Sequence, residues 1–160
     1  DRTSLPRHML WGWLQVGEVI QVDACDKTKY KWAEYHPHFH RTPEKSNTLY
    51  IAQNNMTLRG FTAIHHAGAG VFRKYSKAIQ LTAPDSSRVT LWELPGWMLP
   101  RDSRPPLSYH GNSTKWSKNG SITRLEAVSR GQEFILDCTY YPEAADWLYK
   151  LISISNTRQD

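Results

Sequence analysis

The chain has 160 residues, of which 39% are hydrophobic and 22% are charged, a composition typical of a globular domain and unlike that of disordered chains. Its formal charge of +5 favours polyanionic partners, and its two cysteines argue against a disulfide framework or a cysteine-built zinc site. No apolar run reaches the length of a membrane span and no signal-peptide pattern is present, so we expect no membrane partner and a cytoplasmic location.

Strands are predicted in the first half of the chain, on both sides of a long polar segment. Residues 9–23 (MLWGWLQVGEVIQVD) are rich in β-branched and aromatic residues, and residues 48–52 (TLYIA) form a second such run. Residues 24–47 between them are polar, contain two prolines and lack a helical period. We therefore expect a long loop there, and long loops in compact domains are often functional.

The second half of the chain predicts further strands and one helix. The strands correspond to residues 78–83 (AIQLTA), 87–94 (SRVTLWEL), 121–128 (SITRLEAV) and 130–138 (RGQEFILDC). Asn119-Gly120 is typical of a hairpin turn. Residues 142–152 (PEAADWLYKLI) carry apolar side chains along one helical face. The expected fold class is α+β, with a mixed, mostly antiparallel and barrel-like sheet and the C-terminal helix (142–152) packed on it, in a single domain over residues 1–160.

Three histidines alternate in YHPHFH (35–40), which raises the question of a metal site. On a regular strand His36, His38 and His40 would share one face and could bind zinc or another divalent metal. Pro37 interrupts such a strand, and three ligands from one short segment would strain the geometry. We therefore prefer to interpret them as hydrogen-bonded or phosphate-facing loop histidines. In the metal interpretation, His110 or the His65-His66 pair could add a ligand from elsewhere.

Two acids lie within predicted strands and are flanked by apolar residues. Glu18 belongs to the first strand and Glu133 to the last. A carboxylate in such surroundings is expected to be paired or functional. We favour a structural ion pair with Arg130 or Arg88, and the alternatives are acid–base catalysis or recognition of a base edge.

Basic and aromatic residues supply the candidates for nucleic-acid contact. Arg73 and Lys74 follow the AGAG stretch (67–70), and they form either a solvated basic face or phosphate contacts. Most of the seven tryptophans are expected in the core. Trp97 and Trp116 are bordered by glycine, proline or polar residues, and we predict that they are exposed platforms on which unpaired bases can stack.

Six short segments follow one another along nearly the whole chain in a distinctive order. They are GWLQVGEVI (12–20), YHPHF (35–39), NTLYIA (47–52), GAGVF (68–72), LSYH (107–110) and RGQEFILD (130–137). Together they resemble the third family of nucleotide-modification-associated domains. The resemblance implies association with bacterial and phage systems that handle modified nucleobases, without an established reaction. The first segment is also similar, more distantly, to the pocket strand of PUA-like folds such as the ASCH and EVE modules, so a PUA-like β-barrel is one form expected for the sheet.

The family resemblance also bears on the extent of the protein and on its polar residues. Members of the family carry an N-terminal half that opens with an Arg-Lys-Gly-Phe-Asp stretch, which is not found here. We therefore expect this chain to be the C-terminal part of a longer protein, with a further N-terminal segment or partner chain. The shared segments contain, with roles left open, Gln15, Glu18, His36, His38, Asn47, Tyr50, Ser108, Tyr109, His110, Arg130, Gln132 and Glu133.

The leading functional hypothesis is a nucleic-acid- or nucleotide-binding domain that holds a modified or flipped base in a pocket. No cofactor is required for this role. Its candidate residues fall into three sets, which would stack the base, meet the base edge and hold phosphates. Tyr109, Trp97 and Trp116 would stack the base, Gln15, Asn47 and Gln132 would meet its edge, and Arg73, Lys74, Arg88 and Arg130 would hold phosphates.

Two other hypotheses stay open at this point. The first is an enzyme that acts on a nucleobase or nucleotide, with a divalent metal on the three histidines at 36, 38 and 40 as an optional cofactor. Its catalytic set would be His36, His38, His110 and Glu133. The second is an interaction module with no small-molecule site.

Overall fold

Two compact units are present in the chain. The computed structural model describes residues 5–57, 66–128 and 133–156. One unit, here called the smaller unit, is Gly12–Val71, and the other, the larger unit, combines Asp1–Trp11 with Phe72–Asp160. This division does not test the prediction of a single domain.

Two antiparallel strand pairs form the frame of the smaller unit. The strands are β1 (Gly12–Leu14), β2 (Val16–Gln21), β3 (Thr48–Ala52) and β4 (Ala69–Val71). β1 pairs with β4 and β2 pairs with β3, with a register shift between Val16 and Glu18. Position 70 requires glycine, because a Cβ on Gly70 would collide with the ring of Trp13.

The polar segment 24–47 contains two 3₁₀ helices. Lys27–Ala33 begins after Asp26, whose carboxylate accepts a hydrogen bond from the Thr28 amide at 3.1 Å, and Pro37–His40 follows. Both helices are too short, and too tightly wound, to produce a 3.6-residue apolar period, which explains why the sequence shows none. The first helix contributes one residue to the apolar core of this unit, which consists of Ile20, Val22, Ala33 and Leu49.

Asn47 joins the end of this segment to the rest of the smaller unit. Its side chain is buried, and its Nδ2 donates to Asp23 Oδ2 and to the His38 carbonyl oxygen, each at 2.9 Å. Its own carbonyl accepts from the Val22 amide at 2.9 Å. Hydrogen bonds from Asn47 and from the Glu44 amide lower the pKa of Asp23, so this carboxylate stays ionised as an acceptor. The predicted base-edge residue Asn47 is therefore engaged within the fold.

A three-stranded antiparallel sheet organises the larger unit. Its strands are β5 (Leu91–Pro95), β6 (Trp116–Asn119) and β7 (Ile122–Glu126), in the order β5–β7–β6. Gly120, at a φ of 60°, lies in the turn between β6 and β7, which confirms the predicted hairpin. Alternate residues of β5 and β7 point into the core. The core consists of Leu81, Trp92, Leu94, Met98, Leu107, Leu125 and Ala127.

The C-terminal helix α1 (Glu143–Asn156) confirms the predicted helix and continues it to Asn156. Leu151 and Ile152 are buried, and Trp147 packs against the core with its ring edge-to-face on Trp97 at 6.0 Å. Neither α1 nor another helix in the described ranges has the length and apolar character needed to cross a membrane.

The α+β class is confirmed, whereas several predicted details of the sheet are wrong. The described residues form three small antiparallel sheets and no closed barrel. The predicted strand 78–83 is a 3₁₀ helix, Lys77–Ile79, followed by isolated bridges. Ile79, Leu81 and Ala83 are buried and apolar at every second position, but Thr82 between them is buried as well, so the apolar alternation does not reflect the two faces of a strand. Residues 133–138 form no strand either.

His8 fastens the N-terminal segment of the larger unit to β5. Its Nδ1 accepts a hydrogen bond from Trp92 Nε1 at 2.9 Å, and its backbone amide donates to Thr82 Oγ1 at 2.8 Å. Burial lowers the pKa of His8 below its ordinary value. The neutral ring is thus the form that the fold favours.

Removing the side-chain amide of Asn47 should destabilise the smaller unit. We expect Asn47→Ala to reduce the free energy of unfolding by about 2 kcal/mol, since one of the lost hydrogen bonds is to a carboxylate. Denaturant unfolding followed by circular dichroism measures this. Asn54→Ala, at an exposed position of the same unit, is the control and should change stability by less than about 0.5 kcal/mol. Equal effects of the two substitutions would contradict the role given to Asn47.

The stability of the larger unit should decrease in mild acid because of His8. The folded-state pKa is lowered, so the unfolded chain takes up this proton first, and stability is lost as the pH falls below the unfolded value of about 6.5. Protonated Nδ1 also cannot accept from Trp92. His8→Asn offers Trp92 an acceptor that does not titrate, so urea unfolding from about pH 7.5 to about pH 5 should show a smaller loss in this variant. An unchanged pH slope would contradict the prediction.

Candidate functional site

The predicted site residues are distributed over both units. The smaller unit contains Gln15, His36, His38, His40 and Asn47, and the larger unit contains Arg73, Lys74, Arg88, Trp97, Tyr109, His110, Trp116 and Glu133. Arg130 and Gln132 lie outside the described residues.

The alternating histidines belong to a helical turn and not to a strand. His36 caps the 3₁₀ helix Pro37–His40, and its Nδ1 accepts from the His38 amide at 3.4 Å. The rings of His36 and His38 are 5.0 Å apart, and burial, followed by the charges of His38 and Arg41, lowers the pKa of His36. Among the described residues no group of three or more His, Cys, Asp or Glu is arranged to hold a metal ion. The metal hypothesis gains no support from this geometry and stays a prediction.

Gln15 is engaged with the backbone of a neighbouring segment. Its Oε1 accepts from the Thr57 amide at 2.8 Å, and its Nε2 donates to Thr57 Oγ1 at 3.0 Å. Both ends of the side-chain amide therefore have partners within the smaller unit. A base-edge role for Gln15 would have to replace these hydrogen bonds.

In the larger unit the LSYH segment forms a tightly fastened turn. Leu107 is buried, and its carbonyl accepts from the His110 amide at 3.0 Å. Ser108 Oγ accepts from the Ile135 amide at 2.7 Å, and the ring nitrogen Nδ1 of His110 lies 2.8 Å from the Ser108 carbonyl oxygen. Trp116 Nε1 donates to the His110 carbonyl at 2.8 Å. Three of the four residues in the segment thus hold the turn in place.

The fourth residue, Tyr109, is projected outward. Its φ is 66°, in the left-handed region, and the residue is 62% exposed. A residue other than glycine in this conformation costs about 1–2 kcal/mol, and such strain is concentrated at functional sites. The fastened turn therefore maintains an exposed aromatic ring in an unfavourable backbone conformation.

Tyr109 lies at a pocket of about 250 Å³ in the larger unit. The polar lining consists of Tyr109, His110, Asn112, Lys115 and Glu126, and the rest of the wall is apolar, from the end of β7 and residues 127–128. The volume is below the roughly 300–1,000 Å³ of ordinary small-molecule pockets, but the site combines an exposed aromatic ring, an apolar wall and a few polar groups.

Charged side chains border one side of this pocket. Glu126 lies at the end of β7, and its Oε2 is 2.7 Å from Lys115 Nζ while its Oε1 is 3.2 Å from Arg88 Nη1. The hydrogen bond from Lys115 is the main reason that the pKa of Glu126 is lowered. Glu126 is thus an ionised carboxylate between two cations, and the predicted phosphate residue Arg88 is linked to the pocket through it.

Several predicted roles lose their structural basis. Trp97 and Trp116 are partly buried against the core, so the expectation that they are exposed platforms is wrong. Glu133 is exposed and outside any strand, so the expectation of a strand acid between apolar neighbours is wrong for it. Arg88 pairs with Glu126 rather than with the acids proposed for it. Arg73 and Lys74 are exposed, as a phosphate contact or a solvated face requires.

Three polar residues of the pocket were missed from the sequence, namely Asn112, Lys115 and Glu126. Glu126 did carry a signal, because it stands between the apolar residues Leu125 and Ala127 in a predicted strand. The partners of Glu126 lie 38 and 11 positions away along the chain, which no local pattern shows.

The family model for nucleotide modification associated domain 3 matches residues 1–137. The chain belongs to this family. The match includes the whole Tyr109 pocket, and by its name the family is associated with nucleotide modification. The comparisons with curated proteins and with solved structures give no significant match.

Relieving the strain at Tyr109 should stabilise this nucleotide modification associated domain. Glycine adopts a φ of 66° without a steric penalty from a Cβ atom, whereas alanine has a Cβ and therefore retains the penalty. We expect Tyr109→Gly to be more stable than Tyr109→Ala by about 1 kcal/mol, measured by denaturant unfolding. A matched pair at Tyr140, Tyr140→Gly and Tyr140→Ala, should show the opposite order. If alanine were the more stable substitution at position 109, the turn would not be strained.

Proposed function

We propose that this domain binds nucleic acid or nucleotide by holding one modified or flipped base in the Tyr109 pocket. The observation that carries the proposal is the exposed Tyr109 ring, kept at a φ of 66° beside the pocket by hydrogen bonds on both sides. The stability cost of that conformation is explained if the ring is needed for contact with a ligand. Family membership supports a ligand of the nucleotide class.

In this proposal the base stacks on the Tyr109 ring. Base–aromatic stacking contributes about 1–3 kcal/mol for each base, and it accepts modified bases because each of them has a π-face. The volume of about 250 Å³ suits one base rather than a duplex. The pocket would therefore take a base that is unpaired, flipped out or part of a free nucleotide.

Basic side chains would hold the phosphates. Arg88 and Lys115 lie next to the pocket, and Arg73 and Lys74 are exposed on the same unit. The formal charge of +5 adds a general attraction to polyanions, which salt should weaken. Activity on the bound base, a bacterial or phage setting and a cytoplasmic location stay hypotheses attached to this proposal.

Tyr109 should contribute most of the stacking energy. We expect Tyr109→Ala to weaken binding of single-stranded oligonucleotides or mononucleotides by about tenfold or more, and Tyr109→Phe to retain most of it, since the ring is preserved. Isothermal titration calorimetry at fixed salt measures both. Tyr140→Ala, which also removes an exposed ring from the larger unit, is the control and should bind like the unmodified chain. If the Tyr109→Ala and Tyr140→Ala variants bound equally well, the pocket would not be the binding site.

A further inference from the structure

The polar groups of the Tyr109 pocket have a defined pattern of donors and acceptors, and Glu126 supplies two acceptors. An ionised carboxylate has about four lone-pair positions and no donor. The ion pairs with Lys115 and Arg88 use one position on each oxygen. The side chain of Glu126 is 40% exposed, so both oxygens can still accept hydrogen bonds from a ligand in the pocket.

His110 adds a further acceptor to the lining. A carbonyl oxygen can only accept, so the 2.8 Å contact with the Ser108 carbonyl requires the proton to be on Nδ1. In the neutral ring Nε2 then carries a lone pair, and it is buried without a hydrogen-bond partner. His110 is 4% exposed and lines the pocket, so this residue carries a buried acceptor without a hydrogen-bond partner.

Lys115 supplies the donor. Its ammonium lies 2.7 Å from Glu126 Oε2, which places a donor directly beside the carboxylate acceptors. An ammonium group has three N–H bonds, so it can keep its ion pair and also donate to a ligand oxygen. Arg88, which pairs with Glu126 Oε1, is not among the lining residues, so the lining presents the two acceptor oxygens of Glu126 followed by the Lys115 donor.

We infer that the pocket recognises the Watson–Crick edge of a guanine-type base. Guanine presents N2–H and N1–H as adjacent donors followed by the O6 acceptor, which complements the carboxylate oxygens of Glu126 and the ammonium of Lys115. Adenine and cytosine each offer one donor group on this edge, and uracil and thymine place one donor between two acceptors. This inference rests on the proposed function, because it names the base class bound at the same pocket.

The test compares nucleoside monophosphates that differ at this edge. Binding of GMP, IMP, XMP, AMP and CMP to the full chain is measured by calorimetry. IMP lacks the 2-amino donor, and XMP replaces it with an acceptor. We expect GMP to bind at least about tenfold tighter than IMP, AMP and CMP. Each of these three offers one donor group fewer to Glu126 and so loses a charge-assisted hydrogen bond.

A substitution at Glu126 should shift the binding preference from GMP toward XMP. Glu126→Gln replaces one acceptor oxygen by an amide donor, which complements the C2 oxygen of XMP and opposes the 2-amino group of GMP. GMP binding should fall about tenfold or more while XMP binding improves. Glu93→Gln, on the adjacent strand β5 and outside the pocket, is the control and should leave the GMP preference unchanged. Unfolding curves of both variants check that the fold is intact.

The outcomes separate the inference from the proposed function. If AMP or CMP binds as tightly as GMP, and Tyr109→Ala weakens each of them, the base pocket stands and the guanine inference is wrong. If GMP is preferred but Glu126→Gln does not alter the preference, Glu126 does not recognise the base and the inference is wrong as well. If only single-stranded oligonucleotides bind and guanine-containing ones are not preferred, the guanine inference alone is wrong. If neither monophosphates nor single-stranded oligonucleotides bind, both proposals are overturned.

Discussion

The hydrogen bond from His110 Nδ1 to the Ser108 carbonyl is the interaction on which the candidate site depends. It closes the turn around Tyr109 and thereby helps to impose the left-handed backbone at that residue. It also fixes the ring tautomer, so that Nε2 is an acceptor. This contact of 2.8 Å thus helps to position the exposed ring, and it sets the hydrogen-bonding character of the residue that follows it.

Around this turn the charges are arranged so that each has a partner and none is deeply buried. Glu126 is shared between Arg88 and Lys115, all of them at least 40% exposed. Exposed ion pairs in general stabilise the folded state by about 1 kcal/mol or less, so rearranging them costs little folding free energy. The side chains can shift to meet a ligand, whereas the amides of Gln15 and Asn47 cannot do so without breaking hydrogen bonds of the fold.

The structural features that were predicted correctly depend on short-range patterns in the sequence. The helix α1 and the hairpin at Gly120 follow from a 3.6-residue period and from a turn dipeptide, each legible within a dozen residues. The exposure of Trp97 was misjudged because its burial comes from Trp147 and Tyr141, far along the chain. The family resemblance singled out LSYH, but a positive φ at Tyr109 has no signal in composition or periodicity. The pocket was recognisable only after residues 109–128 had been brought together in space.

The smaller unit is one continuous stretch, whereas the larger unit is assembled from segments on both sides of it. His8 and Trp92, which meet in the larger unit, are 84 positions apart along the chain. Closing so long a loop is entropically costly, and it cannot begin on the ribosome until the second partner has emerged. During synthesis, therefore, Gly12–Val71 can reach its native contacts first, and the larger unit, with the Tyr109 pocket, matures last.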